Sequence, residues 1–184
     1  LVTGSSVAGE PSLDPPGRRP NFKEVGFLAQ APRPHVAIIA HDGKKADVVA
    51  FATYNRGRLK ACYLLATSTT GHLLHDKVGL DVHCLKSGPL GGDAQMASRV
   101  VEGEVDAVIF IVDPLGKHPH DPDIQTLLRI CNVHDVPLAT NIATADILMG
   151  SELLWEKASV RASIRRNRRL SGPISESSEP APSD

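Results

Sequence analysis

The chain has 184 residues, 41% of them hydrophobic but only seven aromatic (four Phe, two Tyr, one Trp), so one domain with an aliphatic core is expected. Twenty basic residues against 21 acidic leave a net charge of −1, which argues against a generic binder of nucleic acid or of an anionic membrane. No stretch approaches the roughly 18 apolar residues of a spanning helix, the N-terminal region lacks a signal-peptide pattern, and three cysteines are too few for a disulfide framework or a zinc site.

Cys62, Cys84 and Cys131 read as small buried hydrophobes in a reducing, cytoplasmic setting. Residues 1–33 carry Pro11, Pro15, Pro16, Pro20 and Pro32 among Gly and Ser, and read as a flexible extension. From 34 to 155, short apolar runs alternate with helical spacing. The runs cover 35–40, 61–66, 81–85, 106–112 and 136–140. They are continuous in Val, Ile and Leu rather than alternating, as strands buried on both faces of a parallel sheet are. Helical stretches fall between and after them, at 44–56, 70–78, 93–102, 122–134 and 144–154; in the first, Val48, Val49, Phe51 and Ala52 share a face. Five such units predict a three-layer α/β fold, a Rossmann-like open sheet of about five parallel strands with helices on both faces. Residues 156–170 hold six basic residues against Glu156 and read as a solvated basic helix or segment. Residues 171–184 read as a disordered tail.

Ligands of an open parallel sheet bind at the carboxyl ends of its strands. Each run here ends in polar residues: His41-Asp42-Gly43-Lys44-Lys45, then Thr67-Ser68-Thr69-Thr70-Gly71, then Ser87-Gly88 leading to Gly91-Gly92-Asp93. The fourth leads through Asp113-Pro114 to His118-Pro119-His120-Asp121-Pro122-Asp123, and the fifth ends in Asn141. One hydroxyl suffices to cap a helix, whereas Thr67–Thr70 supply four at a helix N-terminus, which fits a phosphate cradle. Ser87, Gly88 and Lys45 are placed to reach the same anion, although an exposed lysine is commonly only solvated. Asp93 follows a Gly-Gly turn and suits either a cap or a base. Asp121-Pro122 suits a cap followed by Pro at the first helical position. His118 and His120 have no cysteine or glutamate partners, so no metal is expected. Neither dinucleotide nor P-loop fingerprint occurs. The expected ligand is a small phosphorylated molecule, with no cofactor. An aspartate and a histidine beside a held phosphate suit proton abstraction next to a carbonyl, through an enediolate.

The motifs AHDGKK (40–45), TSTTG (67–71), SGPLGGD (87–93), DPL with HPHDPD (113–123) and ATNIATAD (139–146) resemble the methylglyoxal synthase family over about 34–150. The resemblance implies a carbon–oxygen lyase of methylglyoxal biosynthesis, a glycolytic bypass, that converts dihydroxyacetone phosphate to methylglyoxal and inorganic phosphate. It implies no metal and no organic cofactor, a cytoplasmic homohexamer, and inorganic phosphate as inhibitor and allosteric ligand. By matching position, Asp93 is the base, His120 polarises the carbonyl and moves a proton, and Asp123 orients other groups. His41, Lys45, Thr67, Ser68, Thr69, Thr70, Ser87 and Gly88 hold the substrate and its phosphate, and Asp42 stands near a phosphate-dependent switch. Ser68 occupies a position where the family often has glycine, and beyond about 150 the resemblance ends. A regulatory module of the same fold, binding a phosphorylated effector without chemistry, is the competing reading.

Overall fold

The computed structural model describes residues 32–116 and 121–170, apart from the side chains of 121–123 and 168–170. The extension expected at 1–33 therefore lies almost wholly outside the described residues, as do the tail expected at 171–184 and the 117–120 stretch with His120. Five strands form one sheet: β1 (His35–Ala40), β2 (Tyr63–Thr67), β3 (Val82–Leu85), β4 (Ala107–Ile111) and β5 (Leu138–Ala139). All pairings are parallel, in the order β3-β2-β1-β4-β5. Helices α1 (Lys45–Tyr54) and α2 (Arg56–Lys60) cross from β1 to β2, and α3 (Ser68–Val78) crosses from β2 to β3. Next, α4 (Gly92–Val101) returns to β4, and α5 (Asp121–Val133) leads to β5. Two helices finish the described chain, α6 (Ile142–Gly150) and α7 (Leu153–Leu170).

The period of two along each strand builds two cores. Val36, Ile38, Leu64 and Ile109 face Val48, Phe51, Leu74 and Met149 on one side of the sheet. Ala37, Ile39, Leu65, Val108 and Phe110 face Met96, Val100, Leu127 and Cys131 on the other. Ile38, Leu64, Ile109 and Phe110 are each at most 2% exposed, and burying such a side chain stabilises the fold by about 1.5–3 kcal/mol. Because both faces of β1 and β4 are covered, these central strands carry unbroken apolar runs, whereas the edge strand β3 exposes His83 and Cys84. The chain moves outward from β1 to β3, then returns to β4 on the far side of β1. The order reverses between β1 and β4, and that is where the crevice opens.

Several boundaries differ from the sequence reading, each for a local reason. Ala61 and Cys62 belong to the turn that closes α2, their N–H groups donating to Arg58 and Leu59, so β2 begins at Tyr63. The helix expected over 44–56 is broken at Asn55, whose side chain donates to Phe51 O and Asp146 Oδ1, and resumes as α2 at Arg56. Cys62 and Cys131 are buried, and burial pushes their thiols up to about 12 and about 11. Cys84, expected to be buried, is exposed because β3 forms an edge of the sheet.

The boundary expected between 155 and 156 falls inside α7. This helix docks: Leu154 and Ala158 are buried, and Arg161, on the same face, pairs with the buried Asp106 at 2.8 Å. Arg165 reaches Glu104 at 2.7 Å, and Arg161 also donates to the Arg33 carbonyl at 3.0 Å. The segment read as a solvated basic stretch is thus in part a clamp on the strand entering β4. No helix among the described residues is long and apolar enough to cross a membrane.

Candidate active site

A cavity of about 840 Å³ opens at the carboxyl ends of β1, β2 and β4, at the reversal of strand order. His41, the residue after β1, is 6% exposed and packs edge-on against Phe110, ring centres 5.0 Å apart. Its Nδ1 accepts the Asp113 backbone N–H at 2.9 Å. A nitrogen that accepts carries no proton of its own, so the neutral ring bears its proton on Nε2. Asp113 follows β4 closely, and its Oδ2 would stand 2.7 Å from a Cβ on Gly43, so a side chain there would displace the Asp113 carboxylate.

Lys45, at the start of α1, directs its ammonium back across the crevice. Nζ donates to Ala40 O at 2.7 Å, Thr70 Oγ1 at 2.7 Å and Thr69 Oγ1 at 3.2 Å. Burial lowers its pKa from the usual lysine value, while the charges of Asp42 and Asp93 pull the other way. Three donors on three acceptors fix the charge at the N-terminus of α3, where the backbone N–H groups and the helix dipole also favour an anion. Thr67 and Thr70 are buried, and Thr67 Oγ1 donates to Thr70 Oγ1 at 3.3 Å.

Across the cavity, β3 runs into the turn that carries Ser87 and Gly88. Gly91 adopts φ 91°, a left-handed conformation that glycine reaches without strain, and α4 begins directly after it. Gly92 lies against the Lys86 carbonyl with no room for a Cβ. These two glycines place Asp93 in the first turn of α4, 2% exposed, its carboxylate against the Gly88 backbone. A Cβ at Gly88 would stand 2.9 Å from Asp93 Oδ2.

His41, Asp42, Lys45, Thr67, Thr69, Ser87, Gly88 and Asp93 thus line one cavity. Thr70 acts behind the surface, through Lys45. Ser68 Oγ lies 3.4 Å from His72 Nδ1 on the flank of α3, and Ser68 is not among the lining residues. The Asp42 side chain is almost fully exposed at the rim, 3.9 Å from Lys45. Asp123 stands in the first turn of α5, with its side chain outside the described residues, and His120 lies outside them altogether. Phe110, absent from the expected site, lines the cavity, and Asp113, expected only as a strand-end residue, orients His41 through its backbone N–H. The signal was available for Asp113, which sits just beyond the strand beside β1. A second groove of about 770 Å³, against β5 and α7, is lined largely by apolar residues such as Val136, Leu138, Leu148 and Val160 and lacks this convergence of polar groups.

A family model described as MGS-like domain matches residues 47–140. The methylglyoxal synthase of Cupriavidus taiwanensis is 54% identical over 118 residues, which cover 64% of this chain and 89% of that protein. The chain belongs to the methylglyoxal synthase family. The methylglyoxal synthase of Cupriavidus pinatubonensis is 57% identical over 117 residues, covering 64% of this chain and 90% of that protein. A crystal structure of methylglyoxal synthase from Elizabethkingia anophelis NUHP1 superposes with a TM-score of 0.65 at 39% identity, over 68% of this chain and 82% of the other. The family model takes in the Thr67–Thr70 and Ser87–Asp93 segments and β4, whereas His41, Asp42 and Lys45 precede its first matched residue.

Proposed function

We propose that this chain is a methylglyoxal synthase, converting dihydroxyacetone phosphate to methylglyoxal and inorganic phosphate. The observation that carries the reading is the pairing, in one cavity, of a cation-backed hydroxyl cradle with a buried carboxylate facing it. The substrate phosphate sits on Lys45, Thr67, Thr69, Ser87 and the Gly88 backbone. Asp93 takes a proton from the hydroxymethyl carbon, leaving an enediolate. His41 presents an Nε2–H, and a neutral donor polarises a carbonyl without protonating the intermediate outright. By the family resemblance His120 polarises the same oxygens and Asp123 orients it. The C–O bond to phosphate, held perpendicular to the enediolate plane, overlaps the π system, and its electron pair departs with phosphate. The enol left behind tautomerises to methylglyoxal. Held in plane, the same bond would survive and the intermediate would simply be reprotonated. The cradle therefore selects the product as well as binding the substrate.

The family resemblance further supports a homohexamer, cytoplasmic location, and inorganic phosphate as inhibitor and allosteric ligand with Asp42 near the switch. The test is Asp93→Asn, measured for turnover with released phosphate counted. The amide keeps the shape but accepts no proton, so turnover should fall about 10²–10⁴-fold. Phosphate affinity should hold or rise, since a negative charge near the anion is gone. Turnover above about a tenth of wild type, outside the range for losing a base, would remove Asp93 from that role. A wild-type protein inert on dihydroxyacetone phosphate would remove the function.

A further inference from the structure

Gln95 has no role in the chemistry proposed above, yet it closes the turn that carries two parts of it. Its Oε1 accepts the Lys86 N–H at 2.9 Å. Lys86 is the first residue after β3, and its carbonyl accepts the Ser68 N–H at 3.3 Å, at the start of the cradle helix α3. The same carbonyl is the group that lies against Gly92. Lys86 is therefore a node joining the phosphate-holding helix to the helix that bears Asp93. Within the turn, Ser87 O accepts from Leu90 N at 3.0 Å and from Gly92 N at 2.9 Å. The Lys86–Gln95 bond runs from the entry of the turn to a side chain beyond Asp93.

We infer that Gln95 is a positioning residue for the proposed elimination, its side chain strapping α4 to the end of β3 and so fixing Asp93 relative to Ser87 and Gly88. The reaction needs that relation held closely, because the phosphate anchors the substrate on one side of the turn and the base attacks from the other. A misplacement of about 1 Å can cost on the order of 10²-fold in rate. The side chain must be long and end in an acceptor: asparagine is too short and methionine has no adequate acceptor. The bond lies at the exposed rim, so its loss leaves both cores intact.

This inference rests on the synthase reading, and the experiment separates the two. Gln95→Met removes the acceptor at nearly constant length, and Gln95→Glu restores one. For the Met variant, kcat should fall about 10- to 100-fold, with KM and thermal midpoint near wild type. The Glu variant should recover kcat to within about threefold. Hydrogen exchange of the Lys86 amide should quicken in the Met variant and stay slow in the Glu variant. Unchanged kcat in the Met variant, or an equal fall in both, overturns the positioning role. If wild type turns over no dihydroxyacetone phosphate, the synthase reading fails on its own. The strap is then judged by the Lys86 amide, and unchanged exchange in the Met variant overturns it.

Discussion

Arg161→Met tests how α7 is held and has a large expected effect. Asp106 is 4% exposed, and its carboxylate receives Arg161 Nε at 2.8 and 3.0 Å and the His35 N–H at 2.7 Å. Removing the guanidinium leaves a buried carboxylate with one backbone donor in place of a charged partner. Breaking a buried pair from one side costs about 3–5 kcal/mol. For a domain of this size, that lowers the thermal midpoint by roughly 10 °C. The pair sits at the amino end of β4, and the cavity at its carboxyl end, five residues away at about 3.3 Å each. Turnover at low temperature should therefore be preserved. Arg161→Met combined with Asp106→Asn removes both charges while keeping an acceptor for the His35 N–H, and should recover much of the loss, since no unpaired buried charge remains. Urea unfolding of the four proteins measures the coupling. A cost below about 1 kcal/mol for Arg161→Met, the range of exposed pairs, would refute the claim that this bridge clamps α7.

Thr70→Val removes one of the three acceptors of Lys45 without changing side-chain size, and should weaken inorganic phosphate binding about tenfold, the worth of a modest charge-assisted hydrogen bond; titration showing a change under twofold would count against the Lys45–Thr70 link. Stability should also fall with acid. Burial, then the Arg161 charge, lower the pKa of His35 below its ordinary 6.5, so the unfolded chain binds its proton first and stability declines as pH drops below about 6.5. The hydrogen bond from Arg165 holds the Glu104 carboxyl below its ordinary 4.5, and its contribution, present above that value, is lost as pH falls through the lowered one. Thermal midpoints recorded from pH 8 to 4 should be flat above 6.5, and His35→Gln should flatten the upper part of the decline; an unaltered slope would exclude His35 as its source.

The alternation of aliphatic runs and helical spacing made the parallel sheet legible in the sequence, and with it the edge at which the strand-end residues gather. Strands buried on both faces must be aliphatic throughout, so β1 and β4 could be read directly. A parallel α/β chain also delivers the residue after each strand to the same edge, so Lys45, Thr67, Thr69, Ser87 and Asp93, which line one cavity, could be grouped before any contact was known, whereas Ser68, grouped with them, lies on the flank of α3. Local spacing could in principle have shown that Arg161 and Arg165 share a face with Leu154 and Ala158, since these positions recur at three and four residues. It could not name their partners: Asp106 and Glu104 lie 55 and 61 residues away in the chain. Nor could it show that Lys45 meets Thr70, that the His41 ring takes its proton position from the Asp113 backbone, or that β3 ends the sheet and exposes Cys84. Those outcomes depend on which strands become neighbours and how closely a glycine lets two segments approach. Only the packed structure decides this, because the energy of each such contact depends on burial that no local stretch of sequence possesses.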